Sequence, residues 1–318
     1  MLQFIKDGTV IPFMKIKGTV ELICIALVIG SIVAMCTKGL NWGLDFTGGI
    51  VVETEYTDGV DLSQVKDAYA KEGIVGTTQH FGSQKDVMVR VAPKEGLDQQ
   101  TVTNKVMVAS RTIDKDVKLS RSEYVGPAVG EELVESGILA IVVSLIAILA
   151  YVAFRFEWRM ATGAVISLAY DVIVVLGVFS VMQIEYDLTV LAAVLTVVGY
   201  SLNDKIVVFD RIRENAVNLP RNTSMYDVFN ISITETLSRT IITSGTTLIT
   251  VVSLMIFGGE MIYGFALALF VGIVFGTISS IYVASTWALI LGIKRENLVP
   301  VKVEKKESDG YETMDFII

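Results

Sequence analysis

Six stretches of this 318-residue chain are apolar for long enough to cross a bilayer, which removes most folds from consideration. A helix needs about 20 apolar residues to span the hydrocarbon core, and backbone in lipid must satisfy its own hydrogen bonds. The stretches are Thr19–Cys36, Leu133–Phe154, Met160–Met182, Leu188–Phe209, Leu237–Phe257 and Ile262–Ile293. Hydrophobic residues make up 52% of the chain and charged residues 19%, the latter strongly clustered. That combination implies a membrane protein with one wet domain. A net charge of −8, with no basic stripe interleaved with aromatics, argues against nucleic acid as a partner.

Basic residues orient the spans. Lys6, Lys15 and Lys17 precede the first, and Arg155 and Arg159 lie between the second and third. Arg211, Arg213 and Arg221 follow the fourth, and Lys294, Arg295, Lys302, Lys305 and Lys306 follow the sixth. The short loops Gln183–Asp187 and Gly258–Met261 carry no Lys or Arg. By the positive-inside rule both termini are expected in the cytoplasm. No small-residue cleavage site follows the first span, so it is read as retained. Cys24 and Cys36 both lie in that span, about 18 Å apart on a helix, too far for a disulfide.

The chain thus divides into a cytoplasmic N-terminus with the first span (1–36), an extracytoplasmic region (37–132), spans two to six (133–293) and a cytoplasmic tail (294–318). The extracytoplasmic region reads as strand Phe46–Tyr56, helix Asp61–Glu72, strands Thr77–Phe81 and Asp86–Val91, helix Leu97–Thr112 and strand Val117–Val125. Alternation is clear in Val87-Met88-Val89-Arg90-Val91, and Ser63, Glu95 and Gly96 sit where caps or turns belong. The order βαββαβ predicts a ferredoxin-like α+β domain with both helices on one face of an antiparallel sheet. Gly48 and Gly49 mark a bulge or a close backbone approach. No nucleophile elbow, phosphate loop or metal-ligand spacing occurs, and the single histidine, His80, has no ligand-spaced neighbours. The chain is therefore not expected to be an enzyme or to hold a metal or cofactor.

Ionisable residues inside spans are costly and mark ion paths or paired charges. Asp204 lies five residues from Phe209, about 8 Å inside the fourth span. Arg239 lies in the first turn of the antiparallel fifth span, which brings the two charges to similar depth. Lys205 is expected to snorkel to the interface. Asp171, in mid-span, has no basic partner evident from sequence and is expected to face a hydrated cavity or another subunit. Tyr200 and Asn203 flank Asp204 as hydrogen-bonding candidates, and Thr240, Thr243, Ser244, Thr246 and Thr247 give the fifth span a hydroxyl-rich face. Gly272-Ile273-Val274-Phe275-Gly276 in the sixth span favours close helix packing, more within one chain than between two. These charges support two readings. Asp204 exchanges protons, driven by a membrane potential worth about 2.3 kcal/mol per charge per 100 mV, or it forms a permanent pair with Arg239 that only fixes helix packing.

Three segments carry a family resemblance: Gly43-Leu44-Asp45-Phe46-Thr47-Gly48-Gly49, the stretch Val197–Glu214 with its Ser201-Leu202-Asn203-Asp204, and Leu237-Ser238-Arg239-Thr240-Ile241-Ile242-Thr243-Ser244. Their content and order resemble the SecF branch of the SecD/SecF family, and the likeness runs over nearly the whole chain. It implies a subunit that assists Sec-dependent protein export with the proton gradient as its energy source. The implied partners are SecD, the SecYEG channel, possibly with YajC, and unfolded polypeptides in transit. It places a proton relay on Asp204 and Arg239, with Asp171, Asn203 and Tyr200 as possible accessories. The family in turn resembles resistance-nodulation-division transporters, in which two six-helix halves form one unit. One half is present here, so a partner carrying the other is implied. A small-molecule or lipid efflux transporter of that superfamily and a passive scaffold subunit are the competing readings.

Overall fold

The computed structural model describes residues 9–92 and 98–298. The turn expected at Glu95–Gly96, Lys6, and Lys302, Lys305 and Lys306 of the tail lie outside them. Among the described residues, six helical stretches are long and apolar enough to cross a membrane. They are α1 (Lys17–Lys38), α5 (Pro127–Arg155), α6 (Trp158–Met182), α7 (Leu188–Asn218), α8 (Met225–Phe257) and a sixth span formed by α9 (Glu260–Ile281) and α10 (Val283–Ile290). Their starts follow from local chemistry. Pro127 opens α5 at a position that needs no N–H. The side chains of Glu157, Asp187 and Ser224 accept from backbone N–H groups in the first turns of α6, α7 and α8.

Two helices run beyond the spans expected from hydropathy. The helix α7 continues past Phe209 to Asn218, and α8 begins at Met225 rather than Leu237. Hydropathy falls there, but amphipathy persists: Ile212, Ala216, Val228, Phe229 and Ile233 remain buried together. Asn215 donates to Ser232 at 3.0 Å, and Arg211 pairs with Glu235 at 2.6 Å, which zips the two extensions. Arg239 therefore sits about 21 Å along its helix, not in its first turn. Inside the bundle, a Cβ on Gly272 would fall 2.3 Å from Val197, and one on Gly276 3.0 Å from the Ser201 hydroxyl. The small residues of the sixth span thus let α9 close on α7 within the chain. By contrast, α1 and α5 leave most of their apolar side chains exposed.

The wet domain is built from β2 (Gly49–Glu55), α3 (Leu62–Lys71), β3 (Thr77–Phe81), β4 (Ser83–Val91), α4 (Gln99–Arg111) and β5 (Lys118–Val125). The sheet is antiparallel throughout in the order β3-β4-β2-β5, the ferredoxin-like arrangement that the element order predicts. Period-two alternation sends Ile50, Val52, Val87 and Val89 against Val65, Val102 and Val106 of the two helices. Val51 and Met88 point to the opposite face, with Leu44. The first strand begins later than expected. Residues Leu44–Thr47 form one helical turn, α2, and the strand starts at Gly49. Gly48 and Gly49 hold φ of 64° and 118°, conformations open to glycine and strained for other residues. The register shift of β2 falls at Glu53/Thr54, so the glycines serve a tight reversal rather than a bulge.

That reversal fastens the domain to the membrane helices. A two-residue strand β1 (Asn41–Trp42) pairs in parallel with β6 (Glu185–Tyr186), in the loop between α6 and α7. The Gly43 N–H donates to the Tyr186 carbonyl at 2.8 Å, and Leu188 N–H to Asp45 Oδ2 at 3.0 Å. Arg90, on β4, places Nη2 2.5 Å from Glu185 Oε1 and donates from Nη1 to the Trp42 carbonyl at 2.5 Å. Trp42, Phe46, Phe179 and Tyr186 pack edge-on or stacked around the joint. Beside it, a cavity of about 1050 Å³ separates Val51, Glu53 and Met88 of the sheet from Leu188 and Tyr263 of the bundle.

Burial pushes the Glu185 carboxyl above the ordinary carboxylate range, and the adjacent Arg90 opposes that shift. A carboxyl whose folded pKa is raised stabilises the fold most when protonated and loses that contribution as pH rises through the folded value. Arg90→Met removes the opposing charge. Its melting temperature in mild detergent is expected to fall below wild type near neutral pH and to recover partly on acidification. Identical melting curves for the two proteins across the acidic-to-neutral range would show that Arg90 does not anchor the joint.

Candidate functional site: charges inside the helix bundle

The helix α7 sends two neighbouring charges in different directions. Val194, Val198, Ser201, Lys205, Val208 and Ile212 recur at alternating spacings of four and three and are all buried. Lys205 therefore belongs to the stripe that packs into the core. Its Nζ lies 2.9 Å from Asp171 Oδ2 on α6, and both side chains are 0% exposed. Ser201 donates to the same carboxylate oxygen at 2.6 Å, Lys205 also reaches the Ser201 hydroxyl, and Ser279 of α9 lies 3.4 Å from Nζ. Two expectations are corrected here. Lys205 does not snorkel to the interface, because its face of the helix turns inward. Asp171 does not lack a basic partner, because that partner is one helix away. The signal was present in sequence: Lys205 falls on the apolar repeat of its own helix.

Asp204 lies about 100° around the helix from Lys205 and is also buried, at 4% exposure. Lys205 and Arg239 are the cations within its electrostatic reach. Arg239 is exposed, and among the described residues the two make no ion pair in contact. The accessory candidates separate. Tyr200 shares a hydrogen bond with Thr247 of α8 at 3.2 Å, and Asn203 lies on an exposed face, so neither hydroxyl nor amide is spent on Asp204. On α8, Thr243, Thr246 and Thr247 donate to carbonyls one turn back, while Ser244 meets Thr277 of α9 at 2.9 Å.

The bundle therefore holds one closed ion pair and one open one. Removing one partner from a buried pair leaves an uncompensated charge, at a cost of about 3–5 kcal/mol, whereas replacing both by apolar residues is often tolerated. Asp171→Asn and Lys205→Met, each alone, are expected to cut the amount of folded, detergent-stable protein sharply. The double variant Asp171→Leu/Lys205→Met is expected to recover most of it. Failure of the double variant to exceed both single variants in thermal stability would show that the two charges are not coupled.

Residues 105–294 match the family model for the protein export membrane protein SecD/SecF C-terminal region, and residues 33–60 match the SecD/SecF GG motif. The protein translocase subunit SecF of Vibrio alginolyticus is 50% identical over 311 residues, covering 97% of this chain and 98% of that protein. The same subunit of Escherichia coli O157:H7 is 48% identical, covering 89% and 88%. Among solved structures, Thermus SecDF, described as a translocon-associated membrane protein, superposes with a TM-score of 0.80 at 35% identity. A SecDF structure in a super-membrane-facing form superposes with a TM-score of 0.68 at 34% identity. The present chain covers 39% of each SecDF chain, so it spans about two-fifths of their length. With a family model over more than half its length and near-full-length relatives at this identity, the chain belongs to the SecF family of protein translocase subunits.

Proposed function

We propose that this chain works with SecD as a proton-driven accessory of Sec-dependent export, with Asp204 and Arg239 as its proton relay. The observation that carries the reading is the state of Asp204: a carboxyl buried among membrane helices, within reach of Arg239 but not bound to it. A permanent structural pair would be closed, as Asp171–Lys205 is. An open pair lets the carboxyl gain a proton when Arg239 is distant and lose it when Arg239 approaches. The export role, and the SecYEG channel, YajC and unfolded polypeptides as partners, come from the family. The exposed apolar faces of α1 and α5 are suited to lipid and to the SecD half-bundle. The carboxyl O–H is the one bond made and broken in this scheme, so it assigns the chain neither an enzymatic step nor a cofactor.

In this reading both termini are cytoplasmic and residues 37–132 face the far side of the cell membrane. With Cys36→Ser removing the exposed native thiol, an impermeant thiol reagent is expected to label Gln99→Cys in intact cells stripped of any outer membrane. Asn218→Cys should stay unlabelled. The reverse pattern overturns the orientation.

For the relay, Asp204→Asn keeps the side-chain shape but carries no proton. It is expected to insert and assemble normally while losing the part of export that an imposed proton gradient stimulates. Arg239→Lys keeps the charge without the planar fork that suits a carboxylate, and should retain partial activity. The measurement is secretion per molecule of membrane-inserted complex, with and without the gradient. Full gradient-stimulated secretion by Asp204→Asn at wild-type abundance would sink the relay and leave the scaffold reading.

A further inference from the structure

Hydroxyl groups inside membrane helices ordinarily donate to a carbonyl three or four residues back. Thr162, Thr277, Ser279 and Ser280 do so here. Ser167 on α6 and Ser285 and Thr286 on α10 do not, although they are 0%, 0% and 3% exposed. Their hydroxyl oxygens have no protein partner, and neither have Asp171 Oδ1 and Glu21 Oε2. A buried polar atom left in this state costs about 1–3 kcal/mol. Three of these atoms, on Ser167, Asp171 and Ser285, need a common explanation.

Their positions form a line. Where α6 and α10 cross, a Cβ on Gly163 would lie 2.5 Å from the Ala284 carbonyl and 3.3 Å from the Ala288 nitrogen. Ser285 follows Ala284 at the edge of that crossing, and Ser167 is one turn farther along α6. Asp171 is one turn beyond Ser167, where α6 meets α9 at Gly276. Side chains one turn apart stand about 6 Å from each other, too far for a direct hydrogen bond and the span of one bridging water.

We propose that the seam between α6 and α10 holds internal water, which bridges the hydroxyls of Ser285 and Ser167 to the Asp171–Lys205 pair. Asp171 Oδ2 is held by Ser201 and Lys205, which leaves Oδ1 as the oxygen that water reaches. The titratable and charged groups facing this site are Lys205 and Asp204 on α7, Tyr170 on α6, and Glu21 and Cys24 on α1. From α9 it meets the Ser279 hydroxyl. The site is separate from Asp204–Arg239, and only its physiological use rests on the proton-linked reading above.

The test reads hydration directly in membranes containing the full complex, with the native Cys24 and Cys36 replaced by alanine and serine. A small water-soluble methanethiosulfonate is expected to modify Ser167→Cys and Ser285→Cys at least about tenfold faster than Leu168→Cys, a position on α6 buried in the apolar core. In infrared spectra, a band of internal water is expected in the wild type and is expected to weaken in Ser167→Val. Equal protection at positions 167, 285 and 168, or a water band unchanged by Ser167→Val, overturns the proposal. Neither readout measures export, so a failed relay at Asp204 leaves this result intact.

Discussion

An ion pair buried in the helix bundle sets the terms for the rest of the membrane region. Asp171 and Lys205 can both remain charged only because α6, α7 and α9 bring a carboxylate, an ammonium and two serine hydroxyls together. That requirement explains why the bundle is tight where it is. The close approach of α9 to Val197 and Ser201, allowed by Gly272 and Gly276, brings Ser279 within range of the lysine. Wider packing there would leave the pair short of donors in a medium that offers few substitutes. The α6–α7–α9 unit is thus the stiff part of the molecule, and the remaining spans are arranged around it.

The interface of α7 with α8 follows different rules. Its deep part is joined by hydroxyl contacts, Tyr200 with Thr247, and α8 reaches α9 through Ser244 and Thr277. Such contacts are individually weak in membranes, about 0.6 kcal/mol on average. Thr243, Thr246 and Thr250 of α8 bond within their own helix and commit nothing to a neighbour. Asp204 lies beside this part of α8, where the polar contacts between the helices are few. A charge that must exchange partners is better placed there than beside the closed Asp171–Lys205 pair.

Most of the architecture was legible in the sequence because its signals are one-dimensional. Span length and period-two alternation each need only local reading, and they yield six spans and a βαββαβ domain. The errors arose where local reading omits a direction. The chemistry of Lys205 alone sends it to the interface, although the repeat Val194, Val198, Ser201, Val208, Ile212 shows which way it points. Asp171 stands alone in its own span because its partner sits 34 residues away on another helix. Hydropathy falls before α7 and α8 end, whereas amphipathy persists to their limits. Gly48 and Gly49 are special positions in sequence, but only the backbone angles separate a reversal from a bulge.

The parallel pairing of Asn41–Trp42 with Glu185–Tyr186 has a mechanical consequence. It attaches the wet domain to the hairpin of α6 and α7, the same two helices that carry Asp171 and Lys205. The 25 residues of α6 extend about 37 Å from Trp158 to Met182. A tilt of about 5° at the end near Trp158 would carry the joint some ~3 Å sideways, roughly the length of a hydrogen bond. The hairpin is therefore geared as a lever, with the charges near its middle and the domain at its tip. Angular changes too small to unpack the helices are enlarged at the sheet, and a load on the domain is returned to the charges with the same mechanical advantage.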